Sequence, residues 1–301
     1  MSEYRSIWNY LFDVPHRLAW IDVDGVSTRY LEAGSPDAPK LILLHGTAGS
    51  FENFCANIGP YALHFHVFAL DMIGCGLTDK PDYPYTAKIY EAHLSAFMDR
   101  LGIRSAGFVG VSLGSWIASR LALDEPEKVE RIVAISPAGI ILDRQAHDAF
   151  VAALKARRSG AVDEPSWDSI HGVIRDLMLD EKDVIPDLVA VRLALYRRPE
   201  MRRAMPHLLH MTNGEFVLEE ADWRSLTIPY LTVAAVDVDN KFLKSAYRIA
   251  ELTPQGQVIE MHGCDHWAQF EQADAFNRAS IAFLKGAAIG DIPGVVRPGA
   301  S

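Results

Sequence analysis

The stretch AGFVGVSLGSWIASRLAL, residues 106–123, decides the fold class of this chain. Apolar residues lead into a Gly-Val-Ser-Leu-Gly turn at residues 110–114, and residues with helical spacing follow the turn. The five-residue pattern alone is weakly specific, so its setting between a strand and a helix carries the weight. A sharp strand-to-helix turn strains its central serine and exposes the hydroxyl at the carboxyl end of the sheet, while the flanking glycines remove clashes. We therefore expect Ser112 to be a nucleophile.

Apolar segments of strand length alternate with helical segments on both sides of this turn. The segments are KLILLHG (40–46), HVFALDM (66–72), VERIVAI (129–135), IPYLTVAAVDV (228–238) and QVIEM (257–261). Strands that are apolar on both faces and separated by helices are typical of a parallel sheet covered on both sides. LAWIDV and VSTRYLEAG flank Asp24-Gly25 and predict an antiparallel hairpin before it. The predicted fold class is α/β, with a mostly parallel central sheet flanked by helices.

A long helical segment interrupts this alternation and predicts a lid. Residues 140–225 contain no convincing strand pattern, and Arg and Met occur throughout. Insertions of this length are usually functional, and lids are the common case. We predict an α/β core formed by residues 1–139 and 226–288, and a helical cap formed by residues 140–225. Residues 289–301 are expected to be a flexible C-terminal tail.

Composition narrows the classes of partner. The 301 residues carry a net charge of −10, which disfavours nucleic acid and anionic membranes as partners. No apolar run reaches the length of a membrane span or a signal peptide. The three cysteines are widely spaced and predict neither a disulfide framework nor a zinc cluster. These features predict a soluble cytoplasmic protein that acts on a small molecule.

A serine nucleophile needs a base and hydrogen-bond donors for the negative charge that develops. In this architecture the base follows the last strand, and His266 lies five residues after QVIEM. The second donor comes from a loop after an early strand, which here is HGTAG at residues 45–49. The backbone N–H groups of Thr47 and Leu113 are the expected pair. His45 itself is expected to brace the loop.

The acid that orients the base should follow the preceding strand, so that the chain order is Ser, Asp, His. AAVDVDNKF offers Asp237 and Asp239, which have the same parity along the strand. Asp237 has the usual Gly-x-x-Asp offset if Ala234 replaces the glycine, and we favour it. Asp239 stays the alternative.

These motifs resemble the α/β-hydrolase fold superfamily over essentially the whole chain. Within it, GCDHWAQFEQADAFNRASIAFL (263–284) resembles the closing motif of the meta-cleavage product hydrolases, the carbon–carbon bond hydrolases of bacterial aromatic degradation. DMIGCGLTDKP (71–81) is also similar. The resemblance implies that Arg192 contacts the oxygenated end of the substrate and that Trp267 lies beside the base. Gly46 is expected to line the substrate site with them.

The resemblance implies a reaction that needs no metal or organic cofactor. The expected substrate is a 2-hydroxy-6-oxo-dienoate, cleaved at a carbon–carbon bond by Ser112 with His266 and Asp237. The family commonly has Asn where this chain has Val111, and Trp-Gly where it has Ala234-Ala235. A carboxylesterase or lactonase with the same triad is therefore the alternative, and a non-catalytic ligand-binding homologue is a third reading. Many relatives associate, so a homodimer or larger homo-oligomer is expected.

Overall fold

A computed structural model describes residues 4–214 and 217–298, and its centre is a nine-stranded sheet. The strand order is β1-β2-β4-β3-β5-β6-β7-β8-β9. The strands are β1 (His16–Val23), β2 (Val26–Ala33), β3 (Lys40–Leu44), β4 (His66–Leu70), β5 (Ala106–Val111), β6 (Val129–Ile135), β7 (Tyr230–Ala235), β8 (Gly256–Met261) and β9 (Val295–Val296).

The six strands from β4 to β8 in this order are parallel, and the strands at both edges are antiparallel. Every residue of β4 and β5 is buried, because helices cover both faces. The predicted hairpin joins β1 to β2 at Asp24 and Gly25, whose φ angles are 52° and 86°. The predicted α/β fold class, with a mostly parallel sheet, is confirmed.

Twelve helices are found among the described residues. They are α1 (Ile7–Leu11), α2 (Cys55–Ala62), α3 (Ala87–Arg100), α4 (Leu113–Asp124), α5 (Arg144–Asp163), α6 (Trp167–Arg175), α7 (Pro186–Tyr196), α8 (Pro199–His210), α9 (Glu220–Ser225), α10 (Lys241–Leu252), α11 (Ala268–Glu271) and α12 (Ala273–Leu284). Short 3-10 helices lie at Phe51–Phe54, Pro126–Lys128, Glu181–Asp183 and Met211–Asn213. None of these helices is long and apolar enough to cross a bilayer.

Helices α5 to α9 form the segment between β6 and β7, and the described part of that segment contains no strand. Helix α6 buries Ile170, Val173 and Ile174, which recur at the spacing of one helical face. Helix α7 begins with Pro186 at its first position, where a missing N–H costs nothing. This helical segment thus leaves the sheet at the carboxyl end of β6 and returns to it at the amino end of β7.

The C-terminal segment corrects one expectation. We expected residues from 289 onward to be a flexible tail, yet Val295 and Val296 pair with Met261 and Glu260 at the sheet edge. Ile289 and Ile292 are also buried. The small apolar residues of this segment cover the edge of β8, which the sequence pattern was too short to reveal. Residues 299–301 lie outside the described part of the chain.

Candidate active site

Ser112 occupies the strained turn between β5 and α4. Its φ and ψ angles are 52° and −110°, a region that a residue with a side chain rarely adopts. A Cβ atom at Gly110 would lie 2.4 Å from the backbone N of Ser115. A Cβ atom at Gly114 would lie 2.2 Å from the Leu44 carbonyl oxygen. The two glycines are therefore required for the close packing that holds the serine in this strained conformation.

Two backbone N–H groups are available next to Ser112. Leu113 is the first residue of α4, where a helix leaves its N–H groups without intrahelical partners. Gly46 lies opposite, since a Cβ atom there would be 3.6 Å from Ser112 Cβ. Within the described residues, neither the Thr47 nor the Leu113 N–H donates to a backbone carbonyl of a turn or loop. Gly46, Thr47 and Leu113 all line the same cavity as Ser112, so the arrangement could hold an oxyanion.

His45 holds the loop that carries Thr47. Its Nδ1 donates to the Gly46 carbonyl at 2.7 Å, and its Nε2 accepts from the Met72 N–H at 3.1 Å. Complete burial lowers the pKa of His45 to about 4, so the ring is neutral and keeps this pair of roles at pH 7. The bracing role expected from the sequence is confirmed.

A buried ion cluster fixes the next part of this loop. The Asp71 carboxylate accepts hydrogen bonds from Arg29 Nε at 2.6 Å, from the Phe51 N–H at 2.9 Å and from the Leu77 N–H at 2.7 Å. The Arg29 guanidinium also pairs with Glu52 at 2.9 Å. Because Arg29, Glu52 and Asp71 are buried, the cluster fastens β2, the loop after β3 and the loop after β4 to one another.

His266 lines the cavity with Ser112, although the two residues are 154 positions apart in the chain. Its ring meets the Phe242 ring edge to face at 4.4 Å between centroids, and its carbonyl accepts from Ser136 Oγ at 3.2 Å. Burial lowers the pKa of His266 to about 3, with further contributions from the positive charges of Arg158 and Lys241. The imidazole is therefore neutral at pH 7 and able to accept a proton.

Asp237 contacts the loop before His266. Its carboxylate accepts from His262 Nδ1 at 2.9 Å and from the Gly263 N–H at 2.6 Å, and these two hydrogen bonds hold its pKa below the usual value. Asp239 is exposed and pairs with Lys244 at 3.4 Å. Within residues 4–214 and 217–298, no carboxylate forms a hydrogen bond or ion pair with the His266 ring. Asp237 as the acid of the triad thus stays a prediction.

Arg192 is buried in the lid part of the cavity wall, with 3% of its surface exposed. Its Nη1 atom has no hydrogen-bond partner among the described residues. The guanidinium lies 5.9 Å from the centre of the Tyr196 ring, and the hydroxyl of Tyr196 accepts from Arg158 Nη1 at 3.2 Å. Burial lowers the pKa of Arg192, and the Arg158 charge adds to the effect. Two guanidiniums close together without a carboxylate partner favour an anion in this place.

The cavity lies between the core and the lid and has a volume of about 510 Å³. Trp267, predicted to lie beside the base, is buried and lines it. The apolar side chains of its wall are Trp116, Ile140, Ile141, Phe150, Val151, Leu154, Val173, Leu177, Met211, Val217 and Phe242. A concave apolar wall with a few convergent polar groups is the usual form of a small-molecule site.

The polar wall residues that the sequence analysis did not single out include His147, Arg158 and Lys241. Arg158 follows Arg157 directly, and sequence alone does not tell which of the two faces the cavity. Lys241 lies at the start of a helix, where a lysine is usually a surface residue. Only the spacing of apolar residues along α5 could have indicated that Arg158 and His147 face the cavity.

Residues 39–273 match the family described as the alpha/beta hydrolase fold. The chain belongs to this family. Its strained serine, its histidine after β8 and its helical insertion after β6 follow the order that the resemblance implied.

Curated relatives of this α/β hydrolase include dienoate hydrolases and a carboxylesterase. A 2-hydroxy-6-oxononadienedioate/2-hydroxy-6-oxononatrienedioate hydrolase of Comamonas testosteroni is 28% identical over 84% of this chain and 89% of its own length. A carboxylesterase of Bacillus subtilis (strain 168) is 29% identical over 87% of each chain. The solved structure of a 2-hydroxy-6-oxo-6-phenylhexa-2,4-dienoate hydrolase from Rhodococcus sp. strain RHA1 matches with a TM-score of 0.78, at 22% identity, over 91% of this chain and 100% of that one. The predicted resemblance to meta-cleavage product hydrolases is thus confirmed.

Proposed function

We propose that this α/β hydrolase cleaves a carbon–carbon bond in a 2-hydroxy-6-oxo-dienoate, a product of meta ring fission in aromatic catabolism. The observation that carries the proposal is the buried Arg192, which has no carboxylate partner among the described residues and whose Nη1 atom has no hydrogen-bond partner there, in the same cavity as Ser112 and a neutral His266. An ester hydrolase has no need of a buried cation opposite its nucleophile, whereas a dienoate carboxylate does. The names of several curated relatives support this class of substrate.

The reaction begins at the oxygenated end of the substrate. The carboxylate and enol bind at Arg192, and the enol ketonises, which gives the departing carbon an electron sink. Without that sink the leaving group would be an unstabilised carbanion. Ser112, or a water molecule activated in the same way, then adds to the distant ketone while His266 takes the proton. The Thr47 and Leu113 N–H groups hold the oxyanion. Addition of one water overall yields a carboxylic acid and a 2-hydroxydienoate.

Asp237 is proposed to orient His266 through the loop that it holds. Its bonds to His262 and Gly263 fix the chain immediately before the base. The packing of Phe242 against the ring and the Ser136 hydrogen bond complete the support. Asp237 is thus proposed as a positioning residue, while Ser112 and His266 are the reacting pair.

Ester hydrolysis is the second candidate, and it uses the same serine and base. The carboxylesterase relative and the apolar Val111 beside the nucleophile favour it. The predicted cytoplasmic location and homo-oligomeric state remain predictions for either activity.

A parallel assay separates the two activities. Loss of the yellow colour of dienoate ring-fission products is followed beside release of p-nitrophenol from esters. We expect colour loss with the wild-type enzyme, and a fall in kcat of at least about 10³-fold in Ser112→Ala, because the nucleophile acts together with its base. Undiminished turnover in Ser112→Ala would refute the nucleophilic role.

Arg192→Ala tests the substrate class in the same assay. Loss of a charge-assisted hydrogen bond should lower kcat/KM for dienoates by about 10²-fold, and ester turnover should fall much less. Arg197→Ala is the matched control, since Arg197 follows the same helix and is exposed. Equal losses on both substrates in Arg192→Ala would instead favour the esterase.

A further inference from the structure

Lys241 is an uncompensated cation in the cavity wall, at the start of α10. Its ammonium lies 3.7 Å from the centre of the Phe150 ring and 5.0 Å from that of Phe242. Desolvation lowers the pKa of Lys241 to about 8. No carboxylate among the described residues pairs with it. Ring faces attract the ammonium but supply no hydrogen-bond acceptor with a full charge.

The other basic residues nearby show that this situation is specific to the cavity. Arg157 also reaches the cavity wall, but Asp176 neutralises it. Lys244, one turn further along α10, pairs with Asp239 at 3.4 Å. Lys241, Arg158 and Arg192 have no such partner within the described residues, so the three cations that line the interior all lack a counter-ion.

Helix α5 separates these cations into two groups. Residues along this helix line the cavity, with Phe150 beside Lys241 and Arg158 beside Tyr196. Eight residues of helix correspond to about 12 Å along its axis. The Phe242 ring contacts the His266 ring at 4.4 Å between centroids and lies 5.0 Å from the Lys241 ammonium, so Lys241 is close to His266. Lys241 and the pair formed by Arg158 and Arg192 therefore lie at different places in the wall of the cavity that also contains Ser112 and His266.

We propose that Lys241 binds a second carboxylate, located on the tail of the substrate beyond the ketone, so that the enzyme's substrates are dianions with an acid at each end. This inference rests on the proposed function, which already assigns the dienoate carboxylate to Arg192. His147 lines the same end of the cavity and could add a donor, since its Nε2 is buried without a hydrogen-bond partner among the described residues.

A substrate with a neutral tail would leave Lys241 in the cavity wall without a counter-ion. A purely apolar tail leaves the ammonium desolvated with only ring faces around it, which is costly. A carboxylate gives the ammonium a charge-assisted hydrogen bond and keeps the aromatic contacts. Hydrolysis of such a substrate adds one water across the carbon–carbon bond. The ketone carbon becomes a new carboxyl group, so the products are a saturated or unsaturated dicarboxylic acid and a 2-hydroxydienoate.

The test compares two ring-fission substrates that differ only at the tail, one ending in a carboxylate and one in a methyl group. The measured quantity is the ratio of their kcat/KM values, which is independent of how much of each variant is folded. We expect the wild-type enzyme to prefer the carboxylate tail and Lys241→Met to lower the ratio about 10- to 100-fold. Lys241→Arg should retain most of the preference. Lys244→Met, on the same helix, should leave the ratio unchanged.

The outcomes separate this inference from the proposed function. If the wild-type enzyme cleaves the methyl-tailed dienoate as well as the acid, and Lys241→Met leaves the ratio unchanged, the tail site is refuted and carbon–carbon hydrolysis stands. If neither dienoate is cleaved while esters are, the proposed function fails and the tail site with it. A ratio that falls equally in Lys244→Met would show a general charge effect and would also overturn the assignment.

Discussion

The charge state of His266, the proposed base, depends on the groups that surround its ring. Burial and two nearby cations lower the pKa of His266 to about 3, below the value near the working pH that suits a general base. An anion bound beside Arg158 or Lys241 would compensate their charges and raise the pKa again. We therefore expect the binding of an anionic substrate to raise the basicity of His266, which is proposed to take the serine proton.

The role of Asp237 can be measured directly. A carboxylate in contact with the base contributes about 10⁴-fold to kcat, as the loss on replacing it with Asn shows in serine proteases. Because Asp237 binds His262 and Gly263 rather than the His266 ring, we expect Asp237→Asn to lower kcat by only about tenfold. Asp239→Asn, at an exposed site, is the control and should change kcat less. A loss near 10⁴-fold in either variant would identify that residue as the acid in contact with His266.

At the scale of elements, the sequence predicted what depends on backbone geometry. The turn at Ser112, the hairpin at Asp24-Gly25 and the strands of the parallel sheet follow from short-range patterns of glycines and apolar residues. The pairing of Val295 and Val296 with β8 did not, because two residues are too few for a pattern. The contacts of Asp237 were also missed, since a loop's direction depends on tertiary packing that parity along a strand does not encode.

The contact between α4 and β3 gives a prediction at this scale. A Cβ atom at Gly114 would lie 2.2 Å from the Leu44 carbonyl oxygen, so alanine there must push the helix away from the sheet. We expect Gly114→Ala to lower the free energy of unfolding by about 1–3 kcal/mol and to reduce activity, since Ser112 begins this helix. Urea titration followed by circular dichroism measures the first effect.

Gly160→Ala is the matched control for Gly114→Ala. Gly160 is exposed within α5, and a Cβ atom there would meet nothing within 4 Å. Alanine has the higher helix propensity, so this variant should be neutral or more stable by up to about 1 kcal/mol. Equal stability of the two variants would contradict the close contact between α4 and β3.

At the scale of the whole molecule, the site brings together residues of the core and of the lid that are far apart in the sequence. The core supplies Ser112, the oxyanion loop and His266, and the lid supplies Arg158 and Arg192. The core residues could be predicted because each follows a strand at a fixed place in the fold. The inward face of a lid helix depends on how the lid packs onto the core, so Arg158 was not distinguishable from Arg157. The residues expected to select the substrate thus lie mostly in the lid, which is the part of the molecule that is hardest to predict from the sequence.

Buried histidines link the stability of the whole molecule to pH. Burial lowers the pKa of His93 to about 4, and its ring contacts Thr28 Oγ1 at 2.9 Å. The unfolded chain binds this proton near the model-peptide value of about 6.5, so stability is retained above that pH and lost as pH falls towards 4. In His93→Gln, the proton that the unfolded chain binds at residue 93 is absent. Between pH 7 and pH 5, we expect the wild type to lose about 1–2 kcal/mol more than His93→Gln in urea titrations.

The effect of His93 must be taken from the difference between the wild type and His93→Gln, because other titratable groups change the free energy of unfolding with pH in the opposite direction. Burial raises the pKa of Glu271 to about 7, and this carboxyl stabilises the fold as pH falls through that value. The Glu271 contribution is common to both proteins and cancels from the difference. His64→Gln, at an exposed position, should show the wild-type dependence on pH. Parallel curves for the wild type and His93→Gln would mean that His93 binds its proton equally well in the folded and unfolded protein, contrary to its burial beside Thr28.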